Sequence, residues 1–373
     1  MNNLKNIIQF LRGNIVLCIS LVAAIITCFI VPPDREYVNY FDGKTLTCLF
    51  CTLAVVCALK NIGFFYIIAR KIVNIFGNLR SQVIALVYIT FIGSMLIAND
   101  MALITFLPLG YYVLISTNNE KYMAFTFIMQ NIAANLGGML TPFGNPQNLY
   151  MYSFYNIPTI EFVKIMLLPF VISVMLITLC CFIFVKNTIS VLYEEKDVKL
   201  NINKTIYYLL LFFLSIIIVF DLIPYIIGLI VIFIGIIAID RKAIKSVDYS
   251  LLLTFCAFFV FSGNMARIPA VDNTVGNLVR TSPLLIGVAS CQVISNVPSA
   301  VLLSKFTGDY ARLLVAVNIG GTGTLIASLA SLITYREFGK CMPEYMNGYL
   351  KKFTIFNFCF VIILTIIMYF YMK

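Results

Sequence analysis

The chain has 373 residues, of which 61% are hydrophobic and only 11% are charged, and no soluble domain hides so much apolar surface. The composition therefore indicates a polytopic membrane protein, and the absence of histidine excludes imidazole zinc sites, Ser-His-Asp triads and histidine proton relays. A net charge of +10 would suggest nucleic acid for a soluble protein, but here it indicates basic cytoplasmic loops, so we expect no nucleic-acid partner.

Apolar runs of about 20 residues, the length that a membrane-spanning helix needs, recur along the chain. The first belongs to an N-terminal membrane helix, residues 1–40, and lacks a signal-peptide cleavage pattern, so we expect it to be retained. The sequence predicts spans near 13–31, 44–62, 162–185, 204–222, 224–239, 247–264 and 352–371. We expect an all-α polytopic membrane protein with about 9–11 transmembrane segments.

Four further stretches are apolar but irregular. Residues 82–117 and 283–306 each place an Asn between two apolar arms of about 10–16 residues, which indicates either a re-entrant helical hairpin or two short spans. Residues 121–157 and 310–335 begin as helices and then meet Gly, Asn, Thr, Ser or Pro at membrane depth. Such polar interruptions predict discontinuous helices that line a cavity.

The distribution of positive charge predicts a topology. Alternating sides from a cytoplasmic N-terminus puts most Lys and Arg residues inside, as the positive-inside rule requires. The hairpin at 82–117 then enters from the cytoplasm and the hairpin at 283–306 from outside, which is what inverted repeats need. We predict inverted repeats at 41–186 and 204–373, joined by a cytoplasmic linker at 187–203.

Matching motifs support the repeat. SMLIANDMA at 94–102 aligns with CQVISNVPS at 291–299, which places Asn99 over Asn296. NLGGMLTPFGNPQN at 135–148 aligns with NIGGTGTLIASLAS at 318–331, which places Thr141 over Thr324 and Asn145 over Ser328. The same two motifs therefore occur in the same order in both halves.

The irregular stretches also predict chemistry. Pro142, Gly144 and Pro146 must break a helix, and the freed carbonyls suit a small hard cation. The helix N-termini that follow each break or tip suit an anion. Asp100 is the one charged residue between 81 and 116. An intramembrane carboxylate indicates function, whereas a fully spanning hairpin would leave Asp100 at the surface without a role.

Three motifs resemble those of the ion transporter superfamily, which contains divalent anion/sodium symporters, citrate transporters, arsenite-efflux permeases and one class of sodium/proton antiporters. They are ANDMALITFLPL at 98–109, NLGGMLTPFGNPQNLY at 135–150 and ISNVPSAVLL at 294–303. The resemblance implies two inverted repeats, each with a re-entrant hairpin and a discontinuous helix, in a transport domain that moves like an elevator against a scaffold. It also implies a homodimer, which the dicarboxylate branch often forms.

The hairpin tips depart from the dicarboxylate symporters, which carry Ser-Asn-Thr at both tips. Here the tripeptides are Ala98-Asn99-Asp100 and Ser295-Asn296-Val297. The departure favours proton coupling, a sodium site that uses Asp100, or a substrate less negative than citrate, and it is closer to the arsenite-efflux branch. The segment 144–148, GNPQN, instead resembles the carboxylate branch, so the branch stays open.

We therefore expect a secondary active transporter, not an enzyme, in the plasma membrane with a cytoplasmic N-terminus. It would move a small di- or tricarboxylate-like anion through the lipid bilayer with Na⁺ or H⁺, without other cofactor or metal. An arsenite or oxyanion efflux permease and a Na⁺/H⁺ antiporter are alternatives, and a channel would share such helix-end sites. The expected substrate residues are Asn99, Asp100, Asn148, Ser295, Asn296, Thr322 and Thr324; the expected ion residues are Asn99, Thr141, Gly144, Asn145, Asn296, Gly320 and Ser328.

Overall fold

The computed structural model describes residues 14–189 and 200–373. Residues 1–13, which contain the start of the predicted first span, and residues 190–199, which form most of the predicted linker, lie outside that description. Seven helices of the described chain are long and apolar enough to cross a membrane. The protein is therefore an all-α polytopic membrane protein, as the composition predicts.

The helices lie where the apolar runs predict them. The seven predicted spans correspond to Ile15–Ile30, Gly43–Asn61, Thr159–Phe184, Ile202–Val219, Tyr225–Ile239, Tyr249–Ala266 and Met346–Tyr371. The structure also contains shorter helical segments that were not predicted from the sequence: Phe64–Asn74, Arg241–Lys245 and the irregular run from Pro269 to Thr281. The predicted total of 9–11 transmembrane segments stays a prediction.

Two helical hairpins surround the aligned asparagines. The first hairpin consists of Leu79–Ile97 and Asn99–Ser116, and the second consists of Pro283–Ile294 and Asn296–Leu303. The arms of the first are 19 and 18 residues long, which is longer than the sequence suggested, whereas those of the second have 12 and 8. The first arm starts early because the side chain of Asn78 accepts a hydrogen bond from Ser81 N at 2.9 Å and caps the helix.

The two tips have the same backbone turn. Ala98 joins the first pair of arms at φ 64° and ψ 153°, and Ser295 joins the second at φ 75° and ψ 159°. In each tip the asparagine Oδ1 accepts a hydrogen bond from the following amide, at 3.0 Å for Asn99 and 2.9 Å for Asn296. The alignment of Asn99 with Asn296 therefore corresponds to equivalent local structure.

Both segments with polar interruptions are broken helices. The first broken segment runs from Met123–Gly137 through a 3₁₀ turn and a loop to the helix Pro146–Phe154. The second broken segment runs from Tyr310–Ile319 through a loop to Leu329–Cys341. Asn145 and Ser328, aligned in the sequence, both precede the second helix in extended backbone, at φ −139° and ψ 147° and at φ −149° and ψ 151°.

The hairpins open toward opposite ends of the C-terminal helix Met346–Tyr371. Lys121, just after the first hairpin, lines a cavity together with Lys352 near the start of that helix. Beyond the second hairpin, the Nε of Arg312 donates to the carbonyl of Met372 at 3.1 Å, just after the end of that helix. Opposite entry supports the inverted repeat, which stays a prediction together with the side that faces the cytoplasm.

The remaining helices pack around the hairpins and broken segments. Gly43–Asn61 packs against Ile202–Val219 and Tyr225–Ile239, and Ile15–Ile30 packs along Tyr249–Ala266. Asn264 Nδ2 donates to Thr27 Oγ1 at 3.1 Å and fixes that last pair. The pair closes one side of a cavity at the hairpin tips.

Candidate functional site

A cavity of about 310 Å³ lies where the hairpin tips meet the helices that follow the two breaks. Its polar lining includes Asn99 and Asp100 from the first tip, Ser295 and Asn296 from the second, and Gln147 from the first broken segment. Four of these five residues were predicted from the sequence. The structure therefore brings both tips to one site, and Asp100 lines that cavity.

Four helix N-termini point to this cavity. Asn99, Pro146, Asn296 and Leu329 are each the first residue of a helix of eight residues or more, and each lines the cavity. Unpaired amides and the helix dipole give each terminus a partial positive charge. The lining contributed by residues 14–189 and 200–373 contains no Lys or Arg. Helix ends therefore supply the positive potential that an anion needs.

Two oxygen atoms at the cavity lack a hydrogen-bond partner among the described residues. Asp100 Oδ1 and Gln147 Oε1 are buried and accept no hydrogen bond from any described residue. Buried polar atoms are almost always satisfied, so these two suit a ligand, a proton or a cation. Gln147 was not predicted as a site residue. Its position next to Asn148 in the GNPQN motif is the sequence feature that could have identified it.

Behind the cavity, buried amides connect the two halves. Asn99 Nδ2 lies 3.4 Å from Asn135 Oδ1. A Cβ atom placed on Gly321 would lie 2.9 Å from Asn296 Nδ2 and 3.4 Å from Asn135 Oδ1. Both tips and both broken segments therefore converge at Gly321, where a larger residue would collide.

Asn148 holds the first break together. Its Nδ2 donates to Gly138 O at 3.0 Å and Thr141 O at 3.3 Å, while its Oδ1 accepts from Asn318 Nδ2 at 2.6 Å. Asn148 is fully buried and lies outside the cavity lining. It joins the two broken segments, and its predicted contact with substrate stays a prediction.

The two aligned threonines make equivalent bonds. Thr141 Oγ1 donates to Met95 O at 2.8 Å, and Thr324 Oγ1 donates to Gln292 O at 3.0 Å. Met95 and Gln292 each lie four residues before the asparagine of their tip. In both halves, therefore, the loop of the broken segment is fastened to the neighbouring hairpin by the same hydrogen bond.

The other predicted residues lie in or beside the breaks. Thr322 Oγ1 donates to Ile319 O at 2.7 Å, and Ser328 Oγ accepts from Ser331 N at 3.2 Å. A Cβ on Gly144 would lie 2.4 Å from Gly138 O, and one on Gly320 would lie 2.7 Å from Ala316 O. These two glycines therefore permit close backbone packing at the breaks, and the predicted ion contacts stay predictions.

The outer wall of the cavity was not predicted from the sequence. It consists of side chains from Ile15–Ile30 and Tyr249–Ala266, including Ile19, Leu251 and Phe258. Nothing in these apolar runs distinguishes a side chain that faces a cavity from one that faces lipid. Only the packing of the two helices over the tips identifies them.

The sequence matches the citrate transporter family over residues 7–312. The chain belongs to that family. It is 35% identical over 309 residues to an uncharacterized transporter of Methanocaldococcus jannaschii, covering 81% of this chain and 82% of the relative. It is 27% identical over 336 residues to the inner membrane protein YbiR of Escherichia coli K12, covering 88% and 89%.

Membership in the citrate transporter family confirms the resemblance and the general function. This family member is a multi-pass membrane transporter and not an enzyme, because the family and the named transporter relative are transporters. Its partners are a small solute and the surrounding lipid.

Proposed function

We propose that the protein is a secondary active transporter that carries a small carboxylate anion across the plasma membrane with Na⁺ or H⁺. The observation that carries the proposal is the convergence of four helix N-termini on one cavity with the asparagine-containing tips. The family description, citrate transporter, supports a carboxylate. We also propose that the N-terminus is cytoplasmic, because the distribution of Lys and Arg then follows the positive-inside rule.

The carboxylate of Asp100 supports coupling to a cation. It is the one charged side chain in the described cavity lining, and its Oδ1 is buried without a partner. A buried negative charge beside an anion is unfavourable unless a proton or a metal cation balances it. Binding of Na⁺ or H⁺ at Asp100 would therefore make anion binding favourable. It would also couple the movement of the carboxylate to the movement of the cation.

The grouping of the helices supports elevator-type alternating access. The hairpins pack on the broken segments, while Gly43–Asn61, Ile202–Val219 and Tyr225–Ile239 pack on one another. In the proposed mechanism the first group carries the cavity across the membrane and the second group is the scaffold. A homodimer joined through the scaffold belongs to the same proposal.

A Na⁺/H⁺ antiporter is the second candidate, and Asp100 is the observation that favours it. An antiporter needs a site carboxylate that binds the two cations in turn. The carboxylate transporter should still exchange anions when the Asp100 side chain is made neutral, whereas the antiporter should show no anion movement.

The test is transport in proteoliposomes with labelled succinate, citrate and arsenite under imposed Na⁺ or H⁺ gradients. We expect a carboxylate to accumulate only with a cation gradient. Asp100→Asn should retain anion counterflow but lose gradient-driven accumulation, because the neutral amide leaves no negative charge to oppose the anion and no carboxylate to bind the coupling cation. Glu344→Gln, which changes an exposed carboxylate away from the cavity, should behave like wild type.

Two outcomes would contradict the anion proposal. Cation exchange that disappears in Asp100→Asn, without driven carboxylate flux, would identify an antiporter. Movement of arsenite alone would place the protein in the efflux branch.

A further inference from the structure

The elements that line the cavity differ in polarity. The tips and the helix Pro146–Phe154 contribute the polar side chains of Asn99, Asp100, Gln147 and Asn296 together with helix N-termini, and this part is called the polar end. The helices Ile15–Ile30 and Tyr249–Ala266 contribute Ile19, Leu251, Phe258 and Phe261 among other apolar side chains, and this part is called the apolar wall.

The two hydroxyl groups on the apolar wall are already engaged. Ser20 Oγ donates to Leu17 O at 2.8 Å, and Thr254 Oγ1 donates to Ser250 O at 2.6 Å. Each donor proton is therefore used within its own helix. This wall has no free side-chain donor in the described chain with which to hold a second carboxylate.

The charge of the polar end suits an anionic group. Each helix N-terminus contributes about half a positive charge. The four termini together outweigh an ionised Asp100, and a coupling cation bound there would add to the positive potential that holds a carboxylate at the tips.

We infer that the substrate is a monocarboxylate with a compact apolar body, bound with its carboxylate at the tips and its hydrocarbon against the two outer helices. The inference rests on the proposed function and narrows its substrate, in place of the di- or tricarboxylate expected from the sequence. If citrate bound with one carboxylate at the tips, at least one other carboxylate would contact the apolar side chains of the wall. That carboxylate would be buried without a hydrogen-bond donor, which is unfavourable. A cavity of about 310 Å³ has room for a branched chain of a few carbons.

The absence of tryptophan from the sequence gives a direct binding assay. Phe261→Trp puts one fluorophore on the apolar wall. The ligands are 4-methylpentanoate, its neutral amide 4-methylpentanamide, succinate and citrate, each titrated with sodium and with choline in its place. We expect 4-methylpentanoate to cause a saturable fluorescence shift with a Kd at least about tenfold below that of citrate. A difference of this size is expected when a bound ligand leaves a buried polar group, here an extra carboxylate of citrate, without a hydrogen bond.

A matched pair of leucines tests the apolar wall in the same reporter protein. Leu251 lines the cavity, whereas Leu253 on the same helix is 53% exposed at the outer surface. Leu251→Ala should raise the Kd for 4-methylpentanoate about three- to tenfold through lost apolar contact. Leu253→Ala should leave it unchanged.

Wild-type protein provides a second measurement that does not depend on the reporter. Each ligand that binds the native state should raise the thermal unfolding midpoint, and 4-methylpentanoate should raise it more than citrate at equal concentration. Tighter binding of citrate or succinate would overturn the inference and leave the proposed function standing. Equal binding of the amide would overturn the binding of a carboxylate at the tips. Absence of binding by every carboxylate, together with absence of driven carboxylate uptake, would overturn both.

Discussion

Asn145 and Gly138 show how single residues shape the first break. Asn145 is buried, its Nδ2 lies 3.4 Å from Asn135 O, and its Oδ1 accepts no hydrogen bond from the described residues. A Cβ on Gly138 would lie 2.4 Å from that Oδ1, so only glycine leaves the asparagine in place. An oxygen held in this way is available to a ligand at the break, as the predicted ion-binding role of Asn145 requires.

Replacement of Gly138 by alanine tests this arrangement. We expect Gly138→Ala to displace Asn145 and to lower the initial rate of driven uptake at least about tenfold, as small misplacements near a site do. Gly348→Ala is the control, because a Cβ on Gly348 meets no atom within 4 Å. Equal uptake by the two variants at equal reconstituted protein would contradict the expectation that transport depends on the position of the Asn145 side chain.

At the scale of the residue, the sequence located the tips, and it did not predict which hydrogen bonds the polar side chains make. Asn99, Asp100, Ser295 and Asn296 line the cavity because a polar tip between apolar arms has few other places to lie. Thr141 was predicted to bind the ion and Thr324 the substrate; their hydroxyls donate to backbone carbonyls, and the two ligand roles stay predictions. A sequence motif does not reveal which way a hydroxyl points, since both directions use the same residue at the same spacing.

At the scale of the element, each hairpin is fastened to a break by one threonine. The bonds from Thr141 to Met95 O and from Thr324 to Gln292 O occupy equivalent positions in the two halves. Helix breaks expose backbone carbonyls that need donors inside the membrane. The threonines therefore fix the loops against the hairpins in both halves.

Valine substitution measures these bonds. Thr141→Val and Thr324→Val should each lower the free energy of unfolding by about 0.5–1.5 kcal/mol, the net value of one hydrogen bond, with similar values in both halves. Thermal unfolding in detergent is the measurement. Thr354→Val, which removes an exposed hydroxyl bonded within its own helix, should have a much smaller effect. A loss in only one half would show that the two bonds are not equivalent.

Hairpin length shows a limit of prediction at this scale. Apolar run length predicted the spans because about 20 residues must cross the hydrocarbon core. The same criterion gave arms that were too short for the first hairpin, where Asn78 caps the helix ahead of the apolar run. Local capping extends a helix without changing its hydropathy.

At the scale of the whole molecule, helices distant in sequence build one cavity. Ile15–Ile30, both tips, the two helices that follow the breaks and Tyr249–Ala266 all contribute to its wall. The repeated motifs predicted that tips and breaks would meet, since inverted halves converge at the middle of the membrane. The outer wall could not be predicted, because which apolar faces cover the cavity is set by helix packing.

The most direct test of the central claim is cation-driven uptake by proteoliposomes that contain Asn99→Ala, Asn296→Ala or the exposed control Asn203→Ala. If the cavity between the tips is the substrate site, each tip variant should lower kcat/KM for the transported carboxylate at least about tenfold, because each loses a buried polar contact. The control should match wild type. Unchanged kcat/KM in both tip variants would contradict the account and place the transport site elsewhere in the molecule.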